Sequence, residues 1–325
     1  MTKDSNNINI VATSPLAFSN VPQGGSCFFV PPLPYLDNHI NLIKSRGFCF
    51  SVQEEKLLRQ CIESIGYYHF STYLKHFYDF PKRNKVFRQD TQVKDILKLY
   101  EMNEALRQIL FKALFKIENH LKTFLIEAFI SEFQDAYWCD YKTFASLNLT
   151  TKALALEKNK LKKNKPEEEA YKYQATRLFF YHYPDHAQTA LPAWVVLQCQ
   201  EFGTLSLLLK IPKNKTHKKQ VKAVLQKLAQ KINLPRSLSI NELYDVYNGL
   251  RYLRNEVVHG GKLLGETLHI NAPAYETYQS FHTLTNTLKW VAHLMHIIEP
   301  QDDFEERLNA LRNDVCATLP KDLHF

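Results

Sequence analysis

Three side chains near the end of a helical segment have the chemistry needed to act on a phosphodiester. Arg254, Asn255 and His259 fall within six residues, and Gly260-Gly261 follow at once. Arginine binds phosphate through several N–H donors, asparagine orients a hydroxyl or phosphate oxygen, and histidine exchanges a proton near neutral pH. These are the groups with which a protein can cut RNA without a metal ion.

Helical geometry limits how these side chains can meet. Asn255 and His259 are four residues apart and share a face, as do Arg251 and Asn255. Arg254 and His259 are five residues apart, which is about 140° around an ideal helix. They converge on one phosphate only if the helix loosens near its end, if the substrate lies across the helix tip, or if a second protomer contributes. On spacing alone, an ordinary helix end with a solvated arginine and a C-terminal histidine charge is the better explanation.

A second polar cluster, Glu118-Asn119-His120 with Lys122, lies in the longest helical pattern of the chain. Glu118 and Lys122 are four residues apart, so an intrahelical ion pair is the simplest interpretation. The functional interpretation places this helix against the motif helix, with Glu118 or His120 lining the cleft. His120 would then be the second proton carrier, and Arg251 a further supporting residue.

The charge of the chain suits a polyanionic partner. Formal net charge is +8, and the segment 210–236 contains nine Lys or Arg residues and no Asp or Glu. A positive surface of this kind binds RNA backbone, although a solvated basic loop fits the segment equally well. The lysines that we expect to contact RNA are Lys210, Lys213, Lys215, Lys218, Lys219 and Lys222.

The cysteines and the apolar runs indicate the compartment. The six cysteines are scattered, and no two have the spacing of metal ligands. The start of the chain lacks a secretory signal, and no apolar run approaches the length of a membrane span. We therefore expect a cytoplasmic protein with no cofactor, no metal and no membrane partner.

The apolar periodicity predicts an all-α fold, a helical bundle with additional helices. Only nine glycines occur, and the chain contains no convincing strand pattern. Asp90 or Thr91 is the expected N-cap of the longest helix, which we expect to be the spine of the bundle. Its apolar positions recur with a period of 3.6 residues: Leu106, Ile109, Leu110, Ala113, Leu114, Ile117, Leu121, Phe124, Leu125 and Ala128.

Glycine, proline and polar capping residues mark the boundaries between the other segments of the chain. Residues 1–34 are interpreted as an extended or poorly ordered lead-in, 35–298 as the helical domain, and 299–325 as a helical tail. Helices are predicted over 35–47, over 53–80 with a break near Gly66, from Pro192 to Leu209, and over 276–298 and 302–317. The motif helix covers about 241–260, with Ser239 or Asn241 as its cap and Gly260-Gly261 at its end.

Several ordered sequence elements resemble the abortive-infection (Abi) proteins of the AbiD/AbiF type. Leu191-Pro192-Ala193-Trp194, Phe202-Gly203-Thr204-Leu205-Ser206 and the stretch from Leu250 to His259 occur in the family's order. Ile65 to Tyr73 resembles the family's "IGYYRLSGY" element, Ile117-Glu118 its "IE" helix, and Leu36 to Gly47 its opening helix. The resemblance covers roughly residues 35–298. Two departures, Val258 and Gly260 in place of the family's "RNxxAHH" and Thr72 in place of its glycine, leave Arg254 and His259 intact.

This resemblance implies a branch of the HEPN superfamily, whose proteins are all-helical and have an Arg-x4–6-His motif. Many of them are metal-independent endoribonucleases, often dimeric, that act as toxins or phage-defence effectors. The resemblance thus implies catalytic roles for Arg254, Asn255 and His259, RNA as substrate, and a homodimer or RNA-bridged assembly. A structured small RNA antitoxin is a further implied partner. The alternatives are a non-catalytic RNA-binding defence protein and a dimerising protein–protein adaptor.

Overall fold

The computed structural model describes residues 35–79, 85–138, 192–198, 200–212, 217–234, 238–265 and 284–319. The predicted all-α fold is confirmed: within these residues the regular structure is helical, and the one β-type feature is an isolated bridge between Tyr78 and Phe87. The helices are α1 (Tyr35–Ser45), α2 (Val52–Ile65), α3 (Tyr67–Leu74), α4 (Val93–Phe133), α5 (Ala193–Gln198), α6 (Phe202–Leu208), α7 (Lys218–Lys231), α8 (Leu243–Val258), α9 (Leu284–Ile298) and α10 (Phe304–Thr318).

Helix α4 is the central element of the described fold. It has 41 residues and is therefore about 60 Å long. Eight of the ten predicted apolar positions are buried, whereas Ile109 and Phe124 are partly buried against the core. The N-cap is Gln92, not Asp90 or Thr91. Thr91 instead closes a turn, because its backbone N–H donates to the carbonyl of Arg88 at 3.1 Å.

Seven of the other helices pack around α4, while α1 packs on α2 and α2 packs on α3. Contacts join α4 to α3, α5, α6, α7, α8, α9 and α10. The tail helix α10 is thus part of the same packing, with Phe304, Leu308 and Val315 buried. None of the helices in the described residues is both long and apolar enough to cross a lipid bilayer.

Glycines end or break the helices where the sequence predicts. Gly47 follows α1, and Gly66 separates α2 from α3; each has a φ of 81°, which favours glycine because it has no Cβ. The segment from Pro192 to Leu209 forms two helices rather than one, because Glu201 is extended between them, with φ −72° and ψ 155°. Residues 1–34 and the stretch 157–169, which is rich in lysine and glutamate, lie outside the described residues.

Asn103 joins three separate parts of the fold. Its side chain is fully buried on α4, and its Nδ2 donates to the Tyr73 hydroxyl of α3 at 2.9 Å. Its Oδ1 accepts from the backbone N–H groups of Leu263 and Leu264 at 2.7 and 3.2 Å. Burial also raises the pKa of the Tyr73 phenol, so the phenol stays neutral. One amide thereby fixes the chain that follows the motif helix.

Replacing Asn103 by leucine should destabilise the protein by on the order of 3 kcal/mol, because two amide N–H groups and a phenol lose their buried partner. The matched variant Tyr73→Phe, which removes one hydroxyl, should cost about 1 kcal/mol. Urea unfolding of both variants gives the comparison. Equal losses in the two variants would show that the contacts to Leu263 and Leu264 contribute nothing.

Candidate active site

The motif helix α8 begins at a well-capped turn. Ser239 and Glu242 form a reciprocal capping box around the 3₁₀ turn Ile240–Glu242, which leads directly into α8. Of the two caps that the sequence allows, Ser239 is the one used. One face of α8 is buried: Leu243, Val246, Tyr247, Gly249, Leu250, Leu253 and Val257. The remaining residues of α8 are partly buried or exposed.

The end of α8 is a Schellman turn built from the two glycines. His259 is the C-cap residue, Gly260 has a φ of 79°, and the Gly261 N–H donates to the Glu256 carbonyl at 2.7 Å. A bond spanning five residues beside a left-handed glycine is the signature of this motif. A Cβ on Gly261 would also lie 3.0 Å from the Glu256 carbonyl oxygen. The prediction that Gly260-Gly261 ends the helix is confirmed.

Arg107 of α4 holds this helix end in place. Its Nε and Nη2 donate to the Val257 carbonyl at 3.0 and 2.8 Å, and its Nη1 donates to Glu104 at 2.6 Å. The guanidinium satisfies a carbonyl at the helix end, where intrahelical partners run out. Sequence analysis missed Arg107, because nothing local to α4 shows which carbonyl it reaches.

Glu118 connects α4 to the motif. Its side chain is only 8% exposed, and its Oε2 lies 3.6 Å from Arg254 Nε. The Lys122 ammonium lies 3.2 Å from the other carboxylate oxygen. Both interpretations of Glu118 therefore describe the structure: it forms the intrahelical ion pair with Lys122, and it also faces the motif helix. Two cations share one carboxylate, so the cluster has a net positive charge.

Arg254, Asn255 and His259 lie together along the last turn of α8. The side chain of Arg254 is 35% exposed, and its Nη1 lies 3.4 Å from Asn255 Oδ1. The His259 N–H still bonds the Asn255 carbonyl at 2.9 Å, and the His259 side chain is exposed. The backbone leaves helical geometry at His259 itself, with φ −86° and ψ 9°. The departure from helical geometry is therefore confined to His259. Within one protomer, Arg254 and His259 can contact the same phosphate only if the substrate lies across the tip of the helix.

Of the three predicted supporting residues, two, Arg251 and His120, are separate from this cluster. Arg251 donates to Asn248 at 3.0 Å and lies over the ring of Tyr252 at 4.2 Å. Its Cδ would be 3.2 Å from a Cβ on Gly203, so Gly203 permits the close approach of α6 and α8. Arg251 therefore contributes to packing between these helices.

His120 faces away from the motif helix. It is two residues from Glu118, about 200° around α4, and its neighbouring charge is Lys231 of α7. Burial, assisted by that lysine, lowers the pKa of His120. Its Nε2 is buried with no hydrogen-bond partner among the described residues. Within one protomer, the structure does not bring His120 to Arg254.

A different histidine lies at the motif. His69 of α3 is half-buried, and its Cε1 would be 3.0 Å from a Cβ on Gly260. The tyrosines around His69 lie in two different environments. Tyr73 is fully buried and Tyr67 stacks on His39 at 3.7 Å, so both pack within the fold, whereas Tyr68 is 87% exposed beside His69.

The predicted RNA contacts fall on α7 and the chain before it. Lys213 and Lys215 lie outside the described residues. Lys210 is exposed and lies 5.3 Å from the centre of the Tyr244 ring. Lys218, Lys219 and Lys222 are exposed on α7 and have no acidic partner among the described residues, whereas Lys227 pairs with Glu132 of α4 at 2.5 Å.

Two exposed aromatic residues lie on the stripe of α4 that meets the motif helix. Phe111 and Phe115 are 55% and 58% exposed. They are one turn apart, between Arg107 and Glu118, and all four residues fall within about 80° of one another around the helix. Apolar side chains so exposed beside a polar cluster are suited to contact another molecule.

The comparisons with known proteins identify the family. The sequence matches the family model described as "Abi-like protein" over residues 60–264, a span that includes α3, α4 and the whole motif helix. The searches of curated proteins and of solved structures returned no match. Because the family model covers more than half of its 325 residues, the chain belongs to the Abi-like protein family.

Proposed function

We propose that this protein is a metal-independent endoribonuclease of the HEPN class that acts as a toxin or phage-defence effector. Membership of the Abi-like family indicates a role in abortive infection. The observation that carries the catalytic proposal is the arrangement at the end of α8. There Arg254, partly exposed against Glu118, and the exposed His259 occupy one helix tip that Arg107 fixes to α4.

The reaction would use the nucleophile that RNA itself contains. The 2′-oxygen attacks the adjacent phosphorus, its proton passes to a base, the P–O5′ bond breaks, and the 5′-oxygen takes a proton. His259 is one of the proton carriers. The products are a 2′,3′-cyclic phosphate and a 5′-hydroxyl. DNA lacks the 2′-hydroxyl and cannot follow this route.

Arg254 would stabilise the charge that develops on the phosphate. Its Nε faces Glu118 and its Nη1 faces Asn255, which leaves Nη2 without a partner among the described residues. A guanidinium whose orientation is fixed by a buried carboxylate can present its remaining N–H groups to phosphate oxygens. Asn255 would hold Arg254 or a phosphate oxygen in position.

Helix α7 is the proposed path for the RNA backbone. Lys227 pairs with Glu132, and His217 packs on Phe133 with ring centres 4.9 Å apart, so α7 follows the C-terminal end of α4. Glu132 is 14 residues beyond Glu118, which is about 20 Å along the helix. Several nucleotides of RNA cover that distance. A regulatory small RNA is proposed to use the same lysines.

The second candidate function is that of an assembly or adaptor protein, and the exposed Phe111 and Phe115 favour it. Two copies that paired through this stripe would bury four phenylalanine rings beside their motifs. Burial of large apolar side chains drives such association. Pairing is also compatible with catalysis, so we propose a homodimer in either case.

Replacing His259 or Arg254 by alanine should abolish RNA cleavage, because each removes a group needed in the transition state. General acid–base and electrostatic contributions are each worth about 10²–10³-fold or more. Purified proteins are incubated with RNA in EDTA, and the new ends are mapped for cyclic phosphate. His296→Ala, which removes an exposed histidine of α9, is the matched control and should cleave normally. Cleavage that requires a divalent ion, or that persists in His259→Ala, would contradict the proposal.

Replacing Lys218, Lys219 and Lys222 together by glutamine should weaken RNA binding and its dependence on salt. Three lost phosphate contacts reduce the slope of log K against log salt by about 2 for a single strand. Fluorescence anisotropy with a labelled RNA oligonucleotide gives the slope. Lys227→Gln, in which the lost charge was already paired with Glu132, should change it much less. An unchanged slope in the triple variant would rule out α7 as the RNA path.

Replacing Phe111 and Phe115 together by glutamate should convert a dimer into a monomer, because charged groups would be forced into the shared apolar surface. Sedimentation velocity at micromolar concentration measures the change. Leu57→Glu, at an apolar side chain of α2 that is 50% exposed, is the control and should leave the dimer intact. A monomeric wild type, or a double variant that stays dimeric, would eliminate this interface.

A further inference from the structure

We propose that His69 is the second proton carrier of the site, so that one protomer supplies both the acid and the base. The inference rests on the proposed ribonuclease function. Cleavage by 2′-oxygen attack needs one group to accept the 2′-proton and another to protonate the 5′-oxygen. The motif itself contains one histidine. His120, the sequence-based choice for the second, lies on another face of α4.

The position of His69 follows from its contact with the helix end. A Cβ on Gly260 would be 3.0 Å from His69 Cε1, 3.6 Å from its Nδ1 and 3.8 Å from Arg107 Nη2. The Gly260 Cα is one bond of about 1.5 Å from that point, and the His259 Cα is about 3.8 Å further. The imidazole of His69 therefore lies within about 8 Å of the His259 Cα. A single phosphodiester can contact both rings.

The immediate surroundings of His69 leave its nitrogens available. Among the described residues, neither ring nitrogen of His69 has a hydrogen-bond partner, although the ring is half-buried. The ring meets Tyr73 edge-on with centres 5.9 Å apart. The groups that face it are Tyr73 from its own helix, Arg107 of α4 and the end of α8 with His259. A histidine held by packing, with unbonded nitrogens, is suited to proton transfer rather than to a structural hydrogen bond.

Gly260 is the residue that permits this arrangement. Its φ of 79° is the one that the Schellman turn needs, and its missing side chain leaves room for the imidazole of His69. Any other residue at position 260 would press its Cβ against that ring. The turn thus admits a side chain from α3 to the tip of the motif helix.

In the proposed step, one imidazole takes the proton of the 2′-hydroxyl as the O2′–P bond forms. The other imidazole, in its protonated form, gives its proton to O5′ as the P–O5′ bond breaks. One proton leaves the RNA and one enters it, so the two histidines exchange protonation states with no net change. Arg254 neutralises the charge on the non-bridging oxygens.

The test compares His69→Ala and His259→Ala on two substrates. The first is an RNA oligonucleotide with an ordinary phosphodiester at the cleavage position. The second has sulfur in place of O5′ at that position, and the 5′-thiolate can leave without being protonated. Each variant should lose at least about 10²-fold on the ordinary substrate and one limb of the bell-shaped pH–rate profile. One variant of the two, the one lacking the acid, should recover near wild-type rates with the sulfur substrate. His69→Gln, which keeps the size of the side chain, should behave as His69→Ala does, with an unchanged melting temperature.

The inference would be overturned if His69→Gln cleaved the ordinary substrate at wild-type rates or kept both limbs of the pH–rate profile. It would also be overturned if the sulfur substrate restored the rates of both alanine variants, or of neither. A different outcome of the same experiment would contradict the proposed ribonuclease function. If wild type does not cleave RNA, the ribonuclease proposal itself is wrong. If wild type cleaves and His259→Ala does not, while His69→Gln is normal, only the role of His69 is lost.

Discussion

The two hydrogen bonds from Arg107 to the carbonyl of Val257 hold the candidate site together. The last carbonyls of any helix lack partners within it, and an unsatisfied buried carbonyl costs about 1–3 kcal/mol. Here a guanidinium from the central helix supplies the donors, and the charge makes the bonds stronger than those of a neutral amide. The tip of α8 thereby acquires a fixed position on α4, and the positions of His259, Gly260 and His69 follow from it.

Glu118 acts on the same helix pair about three turns further along α4. It is nearly buried and balances both Lys122 and Arg254. A buried carboxylate is stable only when it is paired, so its ion pair with Lys122 and its contact with the motif are parts of one arrangement. The shared charge orients Arg254 without neutralising the whole cluster, which is the condition under which an arginine can still bind an anion.

Much of the local structure could be predicted from sequence, because its causes are local. The period of the apolar residues in α4, the Ser239 cap, and the glycines at 47, 66, 260 and 261 each act within a few residues. The all-α fold follows from the same patterns. The single helix predicted from Pro192 to Leu209 is wrong, because Glu201 becomes extended with no proline or glycine at that position to signal it.

The contacts that assemble the site could not be predicted in the same way. Periodicity places Glu118 and His120 on different sides of α4, yet it does not say which side meets α8. Arg107 and Val257 are 150 positions apart, and no pattern near either residue refers to the other. His69 could not be found from sequence, because no pattern near it refers to Gly260, and its neighbours Tyr67 and Tyr73 pack within the fold.

The contacts at the tip of α8 join parts of the chain that leave the ribosome at different times. His69 and Arg107 are 38 residues apart, whereas Gly260 lies 153 residues beyond Arg107. The amide of Asn103 is likewise satisfied only when Leu263 and Leu264 arrive. Such non-local contacts form late in folding. A ribosome-bound chain that has not yet released the segment after α8 therefore has the residues of α3 and α4 in place but no assembled helix tip. Whatever activity resides there is withheld until the segment that follows α8 has left the ribosome.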